Sequence, residues 1–187
     1  MKAINSLTEN EQTLRLIANY LIKQKETLAV AESVTSGHIQ ALLSSAEKAS
    51  KFYQGGITTY NLNQKAKHLE INPLKALSNN CVSEIVSKEM ALGVCKLFSC
   101  DWGISITGYA SLIPGDGINT LFAFYSVAHK GAIVLTSILV SGNEKDSTAV
   151  QKYYANHVIT DFARFIEKYS FSENHSTSSD ITCPQKP

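Results

Sequence analysis

Leu28-Ala29-Val30-Ala31-Glu32-Ser33-Val34-Thr35-Ser36-Gly37 decides how the rest of this chain is read. The unbroken apolar run from Leu28 to Ala31 has the character of a fully buried strand. It stops at Glu32 in a polar turn, and apolar residues return at helical spacing between His38 and Ser45, with Ile39, Leu42 and Leu43 on one side. A strand, a tight turn and a helix start put hydroxyls at the carboxyl end of a strand, beside helix N–H groups. In open α/β sheets that is where ligands bind and where developing negative charge is stabilised. Ser33 is therefore a candidate nucleophile, although serine in such a turn also serves simply as a helix cap.

The flanking sequence extends the same pattern. Upstream, Leu7 to Lys25 reads as an amphipathic helix carrying Leu14, Ile17, Ala18, Leu21 and Ile22, opened by a Thr8/Glu11 capping box. Downstream, a β-favouring run predicts a strand at Ile57 to Tyr60, followed by a short helix from Asn61 to Leu69 that carries Lys65 and stops at Asn72-Pro73. Val82 to Leu97 reads as a packing helix with Ser83 as its cap. A strand from Trp102 to Ile106 ends in Thr107-Gly108, and a loop through Pro114-Gly115-Asp116-Gly117 leads to a hairpin, Leu121 to Ala128 and Ala132 to Val140, turning at Lys130-Gly131. A last helix spans Ser147 to Lys168, with Val150, Tyr154, Val158, Phe162 and Phe165 as its buried stripe. The expected organisation is one α/β domain over residues 1–169 and a disordered polar tail over 170–187.

With 187 residues, 44% hydrophobic and 18% charged, the chain can bury a sizeable core. A formal net charge of +1 gives no electrostatic case for nucleic acid or an anionic membrane as partner. No window suits a bilayer span and the N-terminus lacks the apolar core of a signal peptide, so the expected location is cytoplasmic. Cys81, Cys95, Cys100 and Cys183 form no CxxC pair and have no histidine at metal-ligand spacing; they read as reduced thiols, with no metal or cofactor expected.

Three strand ends thus deliver polar groups that could meet: Ser33 with Thr35, Tyr60 with Lys65, and Thr107 with Gly108. A serine needs a base within hydrogen-bond reach, and none of the five histidines has an aspartate at telling spacing. A lysine serves instead when partial burial lowers its pKa. Ser33 and Lys65 could then form a dyad, with Tyr60 orienting the lysine or relaying its proton, while Thr107 and N–H groups near Gly37 or Gly108 hold the oxyanion. The plain alternative makes Lys65 a solvated helix lysine and Tyr60 a strand-end aromatic.

The segments Ala31-Glu32-Ser33-Val34-Thr35-Ser36-Gly37, Gly56-Ile57-Thr58-Thr59-Tyr60 through Lys65-Ala66, Val82-Ser83-Glu84 and Ser105-Ile106-Thr107-Gly108 resemble, in order and spacing, the CinA C-terminal domain family. The resemblance runs from about Leu14 to Phe165. It implies a three-layer α/β/α sandwich with a mixed sheet, commonly dimeric, and a metal-free amidase that converts nicotinamide mononucleotide to nicotinate mononucleotide and ammonia. On that resemblance Ser33 is the nucleophile, Lys65 its base, and Tyr60 and Thr107 assisting hydroxyls. Glu32, Thr35, Ser36, Gly37, Gly108 and Tyr109 are the candidate substrate contacts, and the partners expected are a small carboxamide and a second copy of the chain.

The sequence also departs from the family pattern. Ser36 stands where a first glycine is usual, Tyr109-Ala110-Ser111-Leu112 replaces a run reading roughly I-A-G-P, and Glu144 falls where a loop arginine is usual. A carboxylate in place of a guanidinium repels a phosphate. Two alternatives therefore stay open: an inactive CinA-like binding or interaction module, and an amidase for a related carboxamide without the phosphate.

Overall fold

The computed structural model describes residues 7–77, 80–142 and 146–176. In chain order the elements are α1 (Glu9–Gln24), β1 (Leu28–Glu32), α2 (His38–Ser44), β2 (Tyr53–Thr58), α3 (Leu62–Leu69), α4 (Pro73–Leu77), α5 (Glu84–Phe98), β3 (Trp102–Gly108), β4 (Leu121–His129), β5 (Ala132–Ser141) and α6 (Ser147–Ser176). The strands form one sheet in the order β2-β1-β3-β4-β5, parallel from β2 to β3 and antiparallel from β3 to β5. This is the mixed three-layer α/β/α architecture expected from the sequence.

β1 is paired on both sides and buried along its whole length, which is why its sequence is apolar without alternation. Leu28 and Val30 face a core built with Ile17 and Leu21 of α1, Ile39 and Leu43 of α2, and Tyr154, Val158 and Phe162 of α6. Ala29 and Ala31 face the other layer, where Leu69 closes α3 and Val86, Met90 and Val94 of α5 pack. Large side chains on one face and alanines on the other let α5 approach the sheet closely while α1 and α6 sit behind a thicker hydrophobic layer. Each fully buried Leu, Ile or Phe contributes about 1.5–3 kcal/mol relative to exposure, so both layers clamp the strand whose end carries Ser33.

Local signals set several boundaries. The Thr8/Glu11 capping box opens α1 as expected. Asn61 and Ser83 cap α3 and α5 through side chains that accept from Gln64 N and Val86 N. Lys130 and Gly131, both at positive φ, make the β4–β5 turn.

Three boundaries differ from the sequence reading. β2 covers Tyr53–Thr58 and not Ile57 to Tyr60, because Gly55, at φ +124°, and Gly56 join the strand. They can do so because β2 is an edge strand, and a Cβ on Gly56 would meet the Gln40 side chain at 2.7 Å. Pro73 does end the previous helical segment, but it also begins α4, where its fixed φ suits a first helical position. α6 continues past Lys168 to Ser176, into the stretch read as a tail; residues 177–187, Cys183 among them, lie outside the described residues. No helix among the described residues is long and apolar enough to cross a membrane.

Candidate active site

Ser33 leaves β1 as the strand ends, its backbone N–H donating to Ile106 O at 3.1 Å, so that its hydroxyl stands over the carboxyl ends of β1 and β3. Lys65 enters from the second turn of α3, with its whole side chain buried. Lys65 Nζ donates to Ser33 Oγ at 2.8 Å, to Thr59 O at 2.9 Å and to Tyr60 O at 3.2 Å. Three donors thus meet three acceptors. When the amine loses a proton, the two carbonyls keep its remaining hydrogens and the lone pair is left facing Ser33 Oγ. Burial pushes the Lys65 pKa down from 10.5 to about 8, against a smaller opposing effect of Cys81. The alcohol and buried amine that the family resemblance pairs are therefore brought together.

The other predicted residues fall into different places. Tyr60 lines the cavity, but its ring is 79% exposed at the rim, and it is the backbone carbonyl that touches Lys65. Thr107 lines the cavity with its hydroxyl donating to Cys81 O at 2.9 Å, so that hydrogen is committed to fixing the cavity wall and not to an oxyanion. Glu32 does not line the cavity: its buried carboxylate accepts from Gly37 N at 3.0 Å, Ile39 N at 3.2 Å and Gln40 N at 2.8 Å, which caps α2. Gly37, at φ +98°, thereby gives its N–H to Glu32 and not to a ligand.

Ser36 sits in the left-handed region at φ +49° and its Oγ accepts from Gln151 Nε2 at 3.5 Å, outside the cavity lining. Thr35 is fully buried, and its hydroxyl has no partner among the described residues. Gly108 lines the cavity and must be glycine because a Cβ there would stand 2.4 Å from Phe122 O. Tyr109 lines it too, its hydroxyl accepting from Asn80 Nδ2 at 3.3 Å and its ring meeting the Phe122 ring edge-on at 5.6 Å. Glu144, in the loop before α6, lies outside the described residues.

The turn after the serine carries further donors. Ser36 N donates to Ser33 O and His38 N to Thr35 O, which leaves the N–H groups of Val34 and Thr35, among the described residues, without an acceptor. Val34 lines the cavity beside Ser33. The cavity, about 520 Å³, extends from the dyad past Asn61, Asn80, Cys81, Ser111, Ser147 and Gln151, none of which the sequence reading named as a catalytic or substrate-binding residue. One signal for that wall exists after the fact: Asn80 and Cys81 are consecutive residues at φ +46° and +61°, a conformation asparagine tolerates and cysteine rarely adopts.

The fold has known relatives. The CinA C-terminal domain model matches residues 10–155. A CinA-like protein of Trichodesmium erythraeum is 38% identical over 111 residues, 59% of this chain and 26% of the relative. One from Synechocystis is 38% identical over 121 residues, 63% of this chain and 29% of its own length. The chain thus spans under a third of the length of these curated relatives. Among solved structures, a competence-damaged protein (CinA) superfamily protein from Escherichia coli aligns with a TM-score of 0.73 at 26% identity, covering 87% of this chain and 95% of that one. Its counterpart from Enterobacter cloacae aligns with a TM-score of 0.76 at 23% identity, covering 88% and 95%. By the span of that match and the fold it shares, this chain belongs to the CinA C-terminal domain family.

Proposed function

We propose that this chain is a Ser–Lys amidase that hydrolyses the carboxamide of nicotinamide mononucleotide or a related carboxamide. The observation that carries the reading is the 2.8 Å contact between Ser33 Oγ and a fully buried Lys65 Nζ at the head of an open cavity. Burying an amine is costly, and holding it on an alcohol returns that cost as reactivity; a module without catalysis gains nothing from it.

In the reaction, neutral Lys65 takes the Ser33 hydroxyl proton as Oγ attacks the carboxamide carbon. The oxygen of the tetrahedral intermediate is stabilised by the N–H group of Val34, which lines the cavity beside Ser33. Lys65 returns the proton to the nitrogen, the C–N bond breaks, and ammonia leaves behind an ester on Ser33. Water, deprotonated by Lys65, then cleaves the ester to the carboxylic acid and restores Ser33. Tyr60 and Thr59 contribute through the carbonyls that orient the amine, and Thr107 through the Cys81 carbonyl it holds.

The test is ammonia release by the purified chain incubated with nicotinamide mononucleotide. Ser33→Ala should lower turnover by about a thousandfold or more. Turnover by Ser33→Ala equal to that of the unmodified chain removes the proposal.

A further inference from the structure

Resting on that amidase reading, we infer that the molecule bearing the carboxamide carries no phosphate and is rich in hydroxyls, a nucleoside in place of a phosphate monoester. A phosphate is held by charge-assisted donors, commonly arginines or the open N-terminus of a helix. Three helices begin beside residues that line this cavity, and each start is already occupied by a side chain of the chain itself. Asn61 caps α3, Ser83 caps α5, and Asp146 Oδ2 accepts from Ala149 N at 2.9 Å at the start of α6.

One of those three caps is a carboxylate. Asp146 directly precedes Ser147, which lines the cavity, so a negative charge stands beside that rim and opposes a phosphate there. Among the described residues lining the cavity, Lys65 is the only cation, and its ammonium is committed to Ser33 and two carbonyls.

What the cavity does offer is neutral and mixed in polarity. Asn61, Asn80 and Gln151 bring amides, Ser111 and Ser147 bring hydroxyls, and each of these can both donate and accept. Alternating donors and acceptors of that kind suit sugar hydroxyls. Tyr109, fixed edge-on against Phe122, adds an aromatic wall.

The test is a matched pair assayed on the full chain: nicotinamide riboside, and nicotinamide mononucleotide, which differs only by the 5′-phosphate. The expected result is a kcat/KM at least about tenfold higher for the riboside, with millimolar inorganic phosphate causing no inhibition. Asp146→Asn removes the rim charge yet keeps a residue that caps helices equally well. It should raise kcat/KM for the nucleotide severalfold and narrow its gap to the riboside. Equal rates, a preference for the nucleotide, or a nucleotide rate unmoved by Asp146→Asn overturns this inference while the amidase reading stands. Hydrolysis of neither compound overturns the amidase reading, and this inference with it.

Discussion

The pH dependence of the reaction follows from one buried amine. Lys65 is pushed from 10.5 to about 8 by burial, and only its free-base form can take the Ser33 proton. That form makes up about a tenth of the enzyme at pH 7 and about nine tenths at pH 9. The kcat/KM for a carboxamide should therefore rise about tenfold over that interval and level off near pH 9. A lysine at its ordinary value would give a rise of roughly a hundredfold with no plateau.

The same shift acts on stability. Between pH 8 and 10.5 the unfolded chain binds the proton that folded Lys65 has lost, so stability increases as pH rises through that window. Below it both states are protonated, and the folded chain carries a penalty on the order of 3 kcal/mol. Lys65→Met keeps the stem and removes the ammonium; it should abolish turnover and raise the melting temperature at pH 7. The assays are ammonia release at constant ionic strength from pH 6.5 to 10, and thermal melts of both proteins at pH 7 and 9.5. A flat profile, a rise that continues unbroken to pH 10, or wild-type turnover by Lys65→Met refutes the reasoning.

Two further outcomes test the turn that carries the serine. Glu32→Ala leaves three backbone N–H groups at the start of α2 without their carboxylate and should destabilise the fold by on the order of 3 kcal/mol, read by urea unfolding. Ser36→Gly relieves a side chain held at φ +49° and gives up only a long hydrogen bond to Gln151. It should stabilise the chain by about 0.5–1 kcal/mol in the same measurement, and a loss of stability would mean that the bond matters more than the strain.

Glu32 shows where residue type alone misleads. An acid beside a candidate nucleophile reads as a substrate contact, but the left-handed residues Ser36 and Gly37 fold the turn back so that three N–H groups converge on the carboxylate. Tyr60 misleads in the opposite sense. Its position in the sequence is informative, yet the group that acts on Lys65 is a backbone carbonyl, which any residue type would supply. The early end of β2 explains both its exposure and the displaced ring: the chain has left the sheet at Thr58, before the tyrosine.

By itself the sequence determined the order of the strands and of every helix but α4, the buried character of β1, the caps of α1 and α5, and the hairpin, because those features depend on periodicity and on residues three or four positions apart. Only the tertiary structure decided that Ser33 and Lys65, 32 residues apart, share a hydrogen bond, and that Asn80, Ser147 and Gln151 wall the same cavity. Those meetings are set by strand order and by the layer in which each helix packs. No local stretch of sequence encodes the distance between two elements that come together only when the sheet closes.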